Sequence, residues 1–380
     1  MIIYKTVKVR LYPTTNQEIL CIKHCNSSRF VYNWGLAKKM QLYEAGEKIN
    51  YFELCKELTL LRKHEDYLWL KEVSMNTLQQ SLLDLDNAYK RFFTSKGKFP
   101  KFKKKHGKNS FRSPQDFEVL TEVKRVKLPK IGYVKYRHKQ TILGKVKSIT
   151  VTRKGGCWYA SILTEQEVEM PIHPSKSIIG LDVGIKNLLT TYDGVKSQQY
   201  HHSKSLTSLV KRLPLLHQRV SRKQKGGNNR KKAALLLSKF YQRIANVRLD
   251  TLHKLSTDIS KNHAVVIVED LKIRNMSKSA SGTVARPGTN VAQKRGLNRA
   301  IMNQGWGILF DLLVYKTHRA GGIFGIISPM HTSQTCPKCL HVSQENRVTQ
   351  ARFSCVKCNF TEHADVVGAM NIRKIGLLAT

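Results

Sequence analysis

Apolar and polar residues alternate over residues 2–11 (IIYKTVKVRL), a period of two that predicts a half-buried strand, and Pro13 ends it. Thr15 followed by Glu18 resembles a capping box opening a helix. From there to about residue 93 apolar positions recur at spacings of three and four, with breaks expected at Asn26-Ser27-Ser28 and over 46–50. Strand character returns over 117–165, with a turn at 128–133 (LPKIGY) and a hairpin in which Lys154-Gly155-Gly156 joins 149–152 to 158–163. Together with the first strand these segments are expected to close a small β-barrel around the inserted helices.

Near residue 177 the texture changes. Residues 177–183 (SIIGLDV) form a short apolar run suited to a central strand, 187–192 a second strand, and Asp193-Gly194 a tight turn into a third. Two long helical stretches follow, about 204–222 and 229–261, joined by a basic loop over 223–230. A buried strand (AVVIV, 264–268) comes next, then a Ser-, Gly-, Ala-, Lys- and Arg-rich stretch over 276–296 expected to be mobile. A helix over 306–319, a strand over 322–328 and a short helix around 365–374 complete the pattern. Strands first, helices between and a strand recurring late indicate a mixed α/β sheet. No internal repeat is visible.

Composition narrows the function. At 380 residues the chain exceeds one ordinary core, and 41% hydrophobic residues suffice to build two or three. Lys+Arg number 66 against 26 Asp+Glu, a formal charge of +40, which a polyanion must largely cover. The basic residues are spread along the chain rather than gathered in one cluster beside an apolar span, which favours nucleic acid over lipid. There is no stretch of 18 apolar residues and no signal-peptide pattern, so no membrane association is expected and the cytoplasm is the expected compartment. The run 97–108 (GKFPKFKKKHGK) interleaves Phe99 and Phe102 with Lys103, Lys104 and Lys105, a composition suited to phosphates and bases. Between residues 204 and 261 there are 15 Lys/Arg and two acids, and Arg222, Lys223 and Lys225 of the connecting loop are candidate phosphate contacts.

Four of the eight cysteines form two CxxC pairs, Cys336/Cys339 and Cys355/Cys358, separated by 15 residues. Each pair can place two thiolates on one turn, and two turns complete a tetrahedral, structural Zn²⁺ site. His331, His341 and His363 lie nearby and are read as bystanders. Cys21, His24 and Cys25 read as a buried face rather than a metal site, and the four tryptophans as core. Acids end two apolar strands: Asp182 in IIGLDVG and Glu269-Asp270 in VVIVED. Adjacent strand residues face opposite ways, so only one of Glu269 and Asp270 can face a shared site. Asp365 opens DVVGAMNI, where Gly368 and Ala369 allow a helix close against a sheet. Asp182, Glu269 and Asp365 on two central strands and a late helix make a ribonuclease H-like site. Such carboxylates suit two Mg²⁺ ions about 4 Å apart, which activate water and stabilise the leaving oxygen in phosphodiester hydrolysis.

GLDVGIKN (180–187), VVIVEDL (265–271), SQTCPKC (333–339), CVKC (355–358) and DVVGAMNI (365–372) resemble the TnpB family of insertion-sequence-encoded nucleases, related to the type V CRISPR effectors. VRLYPT (9–14), RFVYNWGL (29–36), FPKFKKK (99–105) and LPKIGYVK (128–135) extend the resemblance over almost the whole chain. The resemblance implies an RNA-guided DNA endonuclease. It would hold a guide RNA from the transposon end, recognise a short transposon-adjacent motif and cut double-stranded target DNA. The triad would be Asp182, Glu269 and Asp365, and the zinc ligands Cys336, Cys339, Cys355 and Cys358. The fold it implies is α/β and multidomain. A RuvC-type nuclease domain (177–330 and 363–380) would hold an inserted zinc ribbon (331–362). A wedge-like barrel (1–13 and 97–170) would hold a helical recognition lobe (14–96), where Tyr51 and Gln79 are candidates for DNA contact. The protein would act as a monomer in its RNA complex, in the bacterial or archaeal cytoplasm at the nucleoid. Departures from the family pattern are His363-Ala364 before Asp365, where many members carry Arg, and Val367, where many carry Asn. A transposase on the same carboxylate scaffold and a nuclease-independent RNA-guided repressor are the alternatives.

Overall fold

A computed structural model of the chain describes residues 1–105, 107, 109–138 and 141–379, and it divides into two compact units. His106 and Lys108 of the basic run lie outside the described residues.

The first unit comprises Met1–Glu169 with Ala234–Lys239. It begins with β1 (Ile2–Tyr12), followed by α1 (Thr15–Glu44), α2 (Tyr51–Leu61), a 3-10 turn at Glu65–Glu72 and α3 (Met75–Phe93). Six strands follow: β2 (Asn109–Ser113), β3 (Glu118–Leu120), β4 (Arg125–Leu128), β5 (Gly132–Arg137), β6 (Lys145–Lys154) and β7 (Cys157–Glu167). The cap of α1 is one residue earlier than the sequence suggests: the Thr14 hydroxyl accepts from the Gln17 N–H, and the Gln17 side chain accepts from the Thr14 N–H. α1 also runs unbroken through Asn26-Ser27-Ser28. Ser27 and Ser28 are buried, so packing overrides their weak helix propensity.

The strands form one antiparallel sheet in the order β2-β6-β7-β1-β5-β4-β3. Alternate residues of these strands, among them Val9, Phe111, Val126, Val134, Ile149 and Ile162, share one core with Cys21 and Cys25 of α1. The sheet thus wraps a core as a barrel does, but among the described residues its edge strands β2 and β3 are not hydrogen-bonded to each other. β3 has three residues, and α1 packs at the β2 edge, with the His24 and Phe111 rings 4.9 Å apart. The three helices bury a second core, including Val31, Leu54, Leu58, Leu78 and Leu82. Burial pushes the Cys21 and Cys25 thiols up to about 12, as expected of structural cysteines. Trp158 and Trp306 are buried, whereas Trp69 is exposed, edge-on to Phe30.

The second unit comprises Met170–Ala233 and Phe240–Thr380. Its elements begin with β8 (Ile178–Asp182), β9 (Leu189–Tyr192), β10 (Ser197–Tyr200), α4 (Lys204–Lys211), α5 (Leu213–Ser221) and α6 (Asn228–Asn262). They continue with β11 (Val265–Glu269), α7 (Ile273–Met276), α8 (Val291–Gln304), α9 (Trp306–Arg319) and β12 (Ile323–Ile327). A small antiparallel pair, β13 (Arg352–Ser354) and β14 (Thr361–His363), precedes α10 (Ala364–Ala379). The helix expected over 204–222 is two helices, because Pro214 starts a new one after Arg212. Residues 276–296, expected to be mobile, hold a bridge between Gly282 and Pro287 and the start of α8.

The five strands β8–β12 form a sheet in the order β10-β9-β8-β11-β12. β8, β11 and β12 are parallel; β9 and β10 are antiparallel to their neighbours. Ile179, Leu181, Val266 and Val268 face Leu252, Leu255 and Ile259 of α6 and Leu309 and Leu313 of α9. The opposite face carries α10. Burial on both faces explains why β8 and β11 read as continuous apolar runs rather than alternating ones. α10 lies very close to the sheet: a Cβ on Gly180 would stand 2.3 Å from the Ala369 carbonyl oxygen and 2.6 Å from the Arg373 nitrogen. A Cβ on Gly376 would stand 1.9 Å from Ile267 Cδ1.

Gly180→Ala is therefore expected to destabilise the second unit by about 1–3 kcal/mol or more, since backbone rather than a side-chain tip must move. Gly35→Ala meets side-chain ends alone, Leu82 Cδ2 at 2.6 Å and Leu85 Cδ2 at 3.2 Å, and is expected to be the milder change. Chemical denaturation of both variants, followed by circular dichroism, checks this; equal destabilisation would refute the close-approach argument.

Candidate functional site

β8 and β11 run parallel with Leu181 opposite Val268. The next residue of each strand is an acid, so Asp182 and Glu269 leave the sheet at the same carboxyl-terminal edge, where open α/β sheets form their crevices. The two-residue period places Gly180 and Asp182, with Ile267 and Glu269, on the face covered by α10. Asp365 lies in the first turn of α10, where the helix N–H groups favour a negative charge. Gly368, one turn on, admits the strand acid: a Cβ there would be 2.7 Å from Asp182 Oδ2.

The three carboxylates line one cavity of about 340 Å³, with Ser333, Arg347, Gln350 and His363 in its walls. Burial, then the neighbouring charges of Glu269 and Asp365, raise the Asp182 pKa well above the ordinary carboxylate range; Arg347 opposes them. Burial also raises Glu269, against a hydrogen bond donated by the Thr332 hydroxyl at 2.5 Å. Asp270 is turned away and pairs with Lys272 at 2.5 Å, as the strand alternation requires. His363 takes no part in the cysteine cluster, as expected, but stands at the carboxylates. Its Nδ1 accepts from the Asp365 N–H at 3.2 Å and lies 3.9 Å from Asp365 Oδ2, because β14 runs directly into α10. Thr332, Arg347 and His363 are the site residues that sequence reasoning missed. Asn371, a buried amide in an apolar stretch of α10, was the available signal: its Nδ2 donates to the carbonyls of Thr332 and Thr335.

The four cysteines converge between β12 and α10. Their sulfurs all lie within 4.8 Å of one another, with Cys336 and Cys358 3.6 Å apart and Cys339 and Cys355 3.5 Å apart. Among the described residues this is the one group of three or more potential ligands so tightly gathered; the carboxylates are spread more widely. Two similar turns present the sulfurs, closed by bonds from Leu340 N–H to the Cys336 carbonyl and from Asn359 N–H to the Cys355 carbonyl, both 2.9 Å. Leu340 and Asn359 take left-handed φ values of 63° and 55°, which the turns demand. Burial pushes the Cys355 thiol up, but the N–H groups of Cys358 and Lys357 outweigh it and bring it to about 6. The Phe360 N–H draws Cys358 down, but burial and the other three sulfurs outweigh it and push it to about 12. Phe353, fully buried, fills the module's interior.

The remaining candidates are not gathered at these sites. Lys104, Lys105, Arg222, Lys223 and Lys225 are exposed, in keeping with phosphate contact. Lys103 Nζ sits 3.7 Å over the Tyr32 ring. Tyr51 packs in the helical core, and burial with a hydrogen bond to Cys55 pushes it to about 12, which favours a packing role. Gln79 is half-buried on α3. Among the described residues no helix is long and apolar enough to cross a membrane.

The family OrfB_IS605, described as "Probable transposase", matches residues 161–280; a Cas12f1-like TNB domain matches 306–372, and a helix-turn-helix domain of the same group matches 1–48. The last span is here one strand and one continuous helix. The chain is 42% identical over 370 residues to InsQ of Escherichia coli (strain K12), provisionally named an RNA-guided DNA endonuclease, covering 97% of this chain and 91% of InsQ. A Streptomyces pristinaespiralis protein with a similar provisional name is 28% identical over 382 residues, covering 99% of this chain and 90% of that protein. The solved Cas12f1–sgRNA–target DNA complex matches with a TM-score of 0.57 at 13% identity, covering 98% of this chain and 99% of the Cas12f1 chain, a likeness of fold alone.

The raised carboxylates fix a pH dependence. A group whose folded-state pKa lies above its unfolded value stabilises the fold below the unfolded pKa, and that contribution is lost as pH rises through the folded pKa. In buffer without divalent cations, Asp182→Asn should therefore be more stable than the parent at neutral pH, by about 1–3 kcal/mol, the usual penalty of an uncompensated buried polar group. The advantage should shrink as pH falls toward the ordinary carboxylate range. Thermal denaturation across pH checks this, and a constant difference would contradict it.

Proposed function

From the premise that the chain belongs to the TnpB family of insertion-sequence-encoded proteins, we propose that it is an RNA-guided DNA endonuclease. It binds a guide RNA from the transposon end, recognises a short adjacent motif in double-stranded DNA and hydrolyses the target backbone. The observation that carries the reading is the convergence of Asp182, Glu269 and Asp365 on one cavity, with the Asp182 pKa raised. The sheet order β10-β9-β8-β11-β12, three antiparallel strands extended by two parallel ones, supports a ribonuclease H-like, RuvC-type domain over 177–330 and 363–380. Residues 331–362 are its zinc ribbon. Residues 1–13 and 97–170 are the wedge-like strand domain, and 14–96 the helical recognition lobe. The protein works as a monomer with its RNA, at the nucleoid.

The donor sets fit the implied metals. An all-oxygen group of three acids, in which Asp182 is raised by burial and then by the charges of Glu269 and Asp365, lacks only positive charge, and magnesium takes oxygen ligands. Four sulfurs about 3.8 Å apart would surround zinc at its usual Zn–S distance of about 2.3 Å, close to the 3.5 and 3.6 Å spacings found. Asp182, Glu269 and Asp365 would hold a pair of Mg²⁺ ions, which would supply an activated water and stabilise the leaving oxygen. The residues do the rest. Asp182 anchors the centre from β8, and Glu269 and Asp365 flank it. Arg347 offsets the carboxylate charge and is placed to meet a phosphate. Lys103, Lys104, Lys105, Arg222, Lys223 and Lys225 contribute to backbone affinity, while base pairing with the guide reads sequence.

The test combines purified protein, Mg²⁺ and a target plasmid, with and without the copurifying RNA. Cutting should require the RNA, a matching sequence and the adjacent motif. Asp182→Ala, Glu269→Ala and Asp365→Ala should each reduce cutting to background with target binding nearly intact, and Asp270→Ala should do much less. RNA-independent cutting, or joined rather than cut ends, would overturn the reading; joined ends would favour strand transfer. Elemental analysis should find one zinc per chain, and Cys336→Ser should lose it and make residues 331–362 protease-sensitive.

A further inference from the structure

Of the three acids, Glu269 is held in the least direct way. Asp182 is pinned between β8 and the backbone of α10 at Gly368, and Asp365 belongs to α10 itself. Glu269 is the last residue of β11, where the chain leaves the sheet. Its carboxylate is held from outside the sheet, by the Thr332 hydroxyl at 2.5 Å. The alternative acceptor for that hydroxyl, the Pro329 carbonyl, is longer at 3.2 Å.

Thr332 belongs to the irregular segment between β12 and Cys336, and it is only 4% exposed. Asn371 of α10, 2% exposed, fixes that segment. Its Nδ2 donates to the Thr332 carbonyl at 2.8 Å and to the Thr335 carbonyl at 2.7 Å, the latter one residue before the first cysteine. A buried amide with both protons committed to two carbonyls of a loop is retained only where the loop's position matters, because an unmatched partner there is penalised heavily.

We infer that Thr332 is a positioning residue for Glu269, and that Asn371 is the clamp holding Thr332 within reach, so that the seat of one carboxylate is set by the foot of the cysteine module. The inference rests on the reading of Asp182, Glu269 and Asp365 as the nuclease site. A hydroxyl donated to Oε1 fixes the side-chain torsions of Glu269 and leaves Oε2 free to face the cavity. It also ties the carboxylate to a segment that neither β8 nor β11 controls. Outer partners of this kind orient the groups that bind metal, and their loss typically lowers affinity or activity about 10–100-fold.

The experiment uses the full-length protein with its copurifying RNA and a matched target. Thr332→Val keeps the side-chain shape and removes the hydroxyl; Thr332→Ser keeps the hydroxyl and removes the methyl group. Thr332→Val should lower the cleavage rate about 10–100-fold and raise the Mg²⁺ concentration for half-maximal rate, with target binding unchanged. Thr332→Ser should retain most of the activity, and Asn371→Ala should resemble Thr332→Val. A second readout needs no DNA cutting. Fe²⁺ replaces Mg²⁺, and ascorbate with peroxide then generates hydroxyl radicals that cleave the protein backbone where the ion sits. Fragments ending near 182, 269 and 365 are expected from the parent, with the one near 269 diminished in Thr332→Val. The inference is overturned if Thr332→Val cuts DNA and fragments like the parent, or if Thr332→Ser is as impaired as Thr332→Val. If Asp182→Ala leaves both cutting and fragmentation unchanged, the nuclease reading itself has failed, separately from any role of Thr332.

Discussion

The second unit depends on how closely one helix can lie on a sheet. α10 rests on the sheet with its backbone almost against that of β8 and directly on the Ile267 side chain of β11, and three glycines make that distance possible. Gly180 clears the carbonyl of Ala369, Gly376 clears Ile267, and Gly368 leaves room for the Asp182 carboxylate. The same approach positions chemistry. Because α10 cannot ride higher, its first turn reaches the carboxyl ends of the two parallel strands, and Asp365 joins Asp182 and Glu269 around one cavity. Side chains of ordinary size at positions 180, 368 and 376 would separate packing from function, since a helix held further from the sheet carries its acid away with it.

Electrostatics sets a second constraint of opposite sign. The chain carries a formal +40, yet one of its cavities is lined by three acids, and the Asp182 pKa is raised well above the ordinary carboxylate range. A negative hollow in a positive surface is costly while it is uncompensated and suited to concentrating cations. On the proposed reading, the basic surface draws the polyanion in and the hollow holds the ions that let a phosphodiester approach the acids. Neither half works alone, because a phosphate meeting three bare carboxylates is repelled.

Much of this was legible in the sequence. The run IIGLD suited a central strand and the run VVIVE a buried one, and the acid ending each gained its meaning from the other and from Asp365. The helix over 306–319 and the four cysteines emerged at the residues expected. Hidden features depend on contacts distant in sequence. The serines of α1 look like a break until their burial is known, and the Pro214 break in 204–222 was passed over among good helix formers. The sheet of the first unit alternates as a barrel should, but among the described residues its edges β2 and β3 do not pair, which alternation alone does not reveal. Thr332 and Asn371 are 39 residues apart, and each alone resembles an unremarkable polar residue. His363 was noted beside Asp365 as a departure from the family pattern, but its contact with the Asp365 N–H depends on how β14 runs into α10.

The order of the elements along the chain has a consequence for biosynthesis. A polypeptide leaves the ribosome from its amino end, and domains fold as they emerge. α10 is made after every strand of the sheet it covers, and after the cysteine module that precedes it. Until it arrives, the face of β8 and β11 bearing Ile267, Gly180 and both strand acids has no cover, and the third acid does not yet exist. A message cut short anywhere before codon 365 therefore yields a chain that has its basic helices but cannot assemble the cavity. On the proposed reading, that order of manufacture keeps every copy cut short before Asp365 from acting as a nuclease.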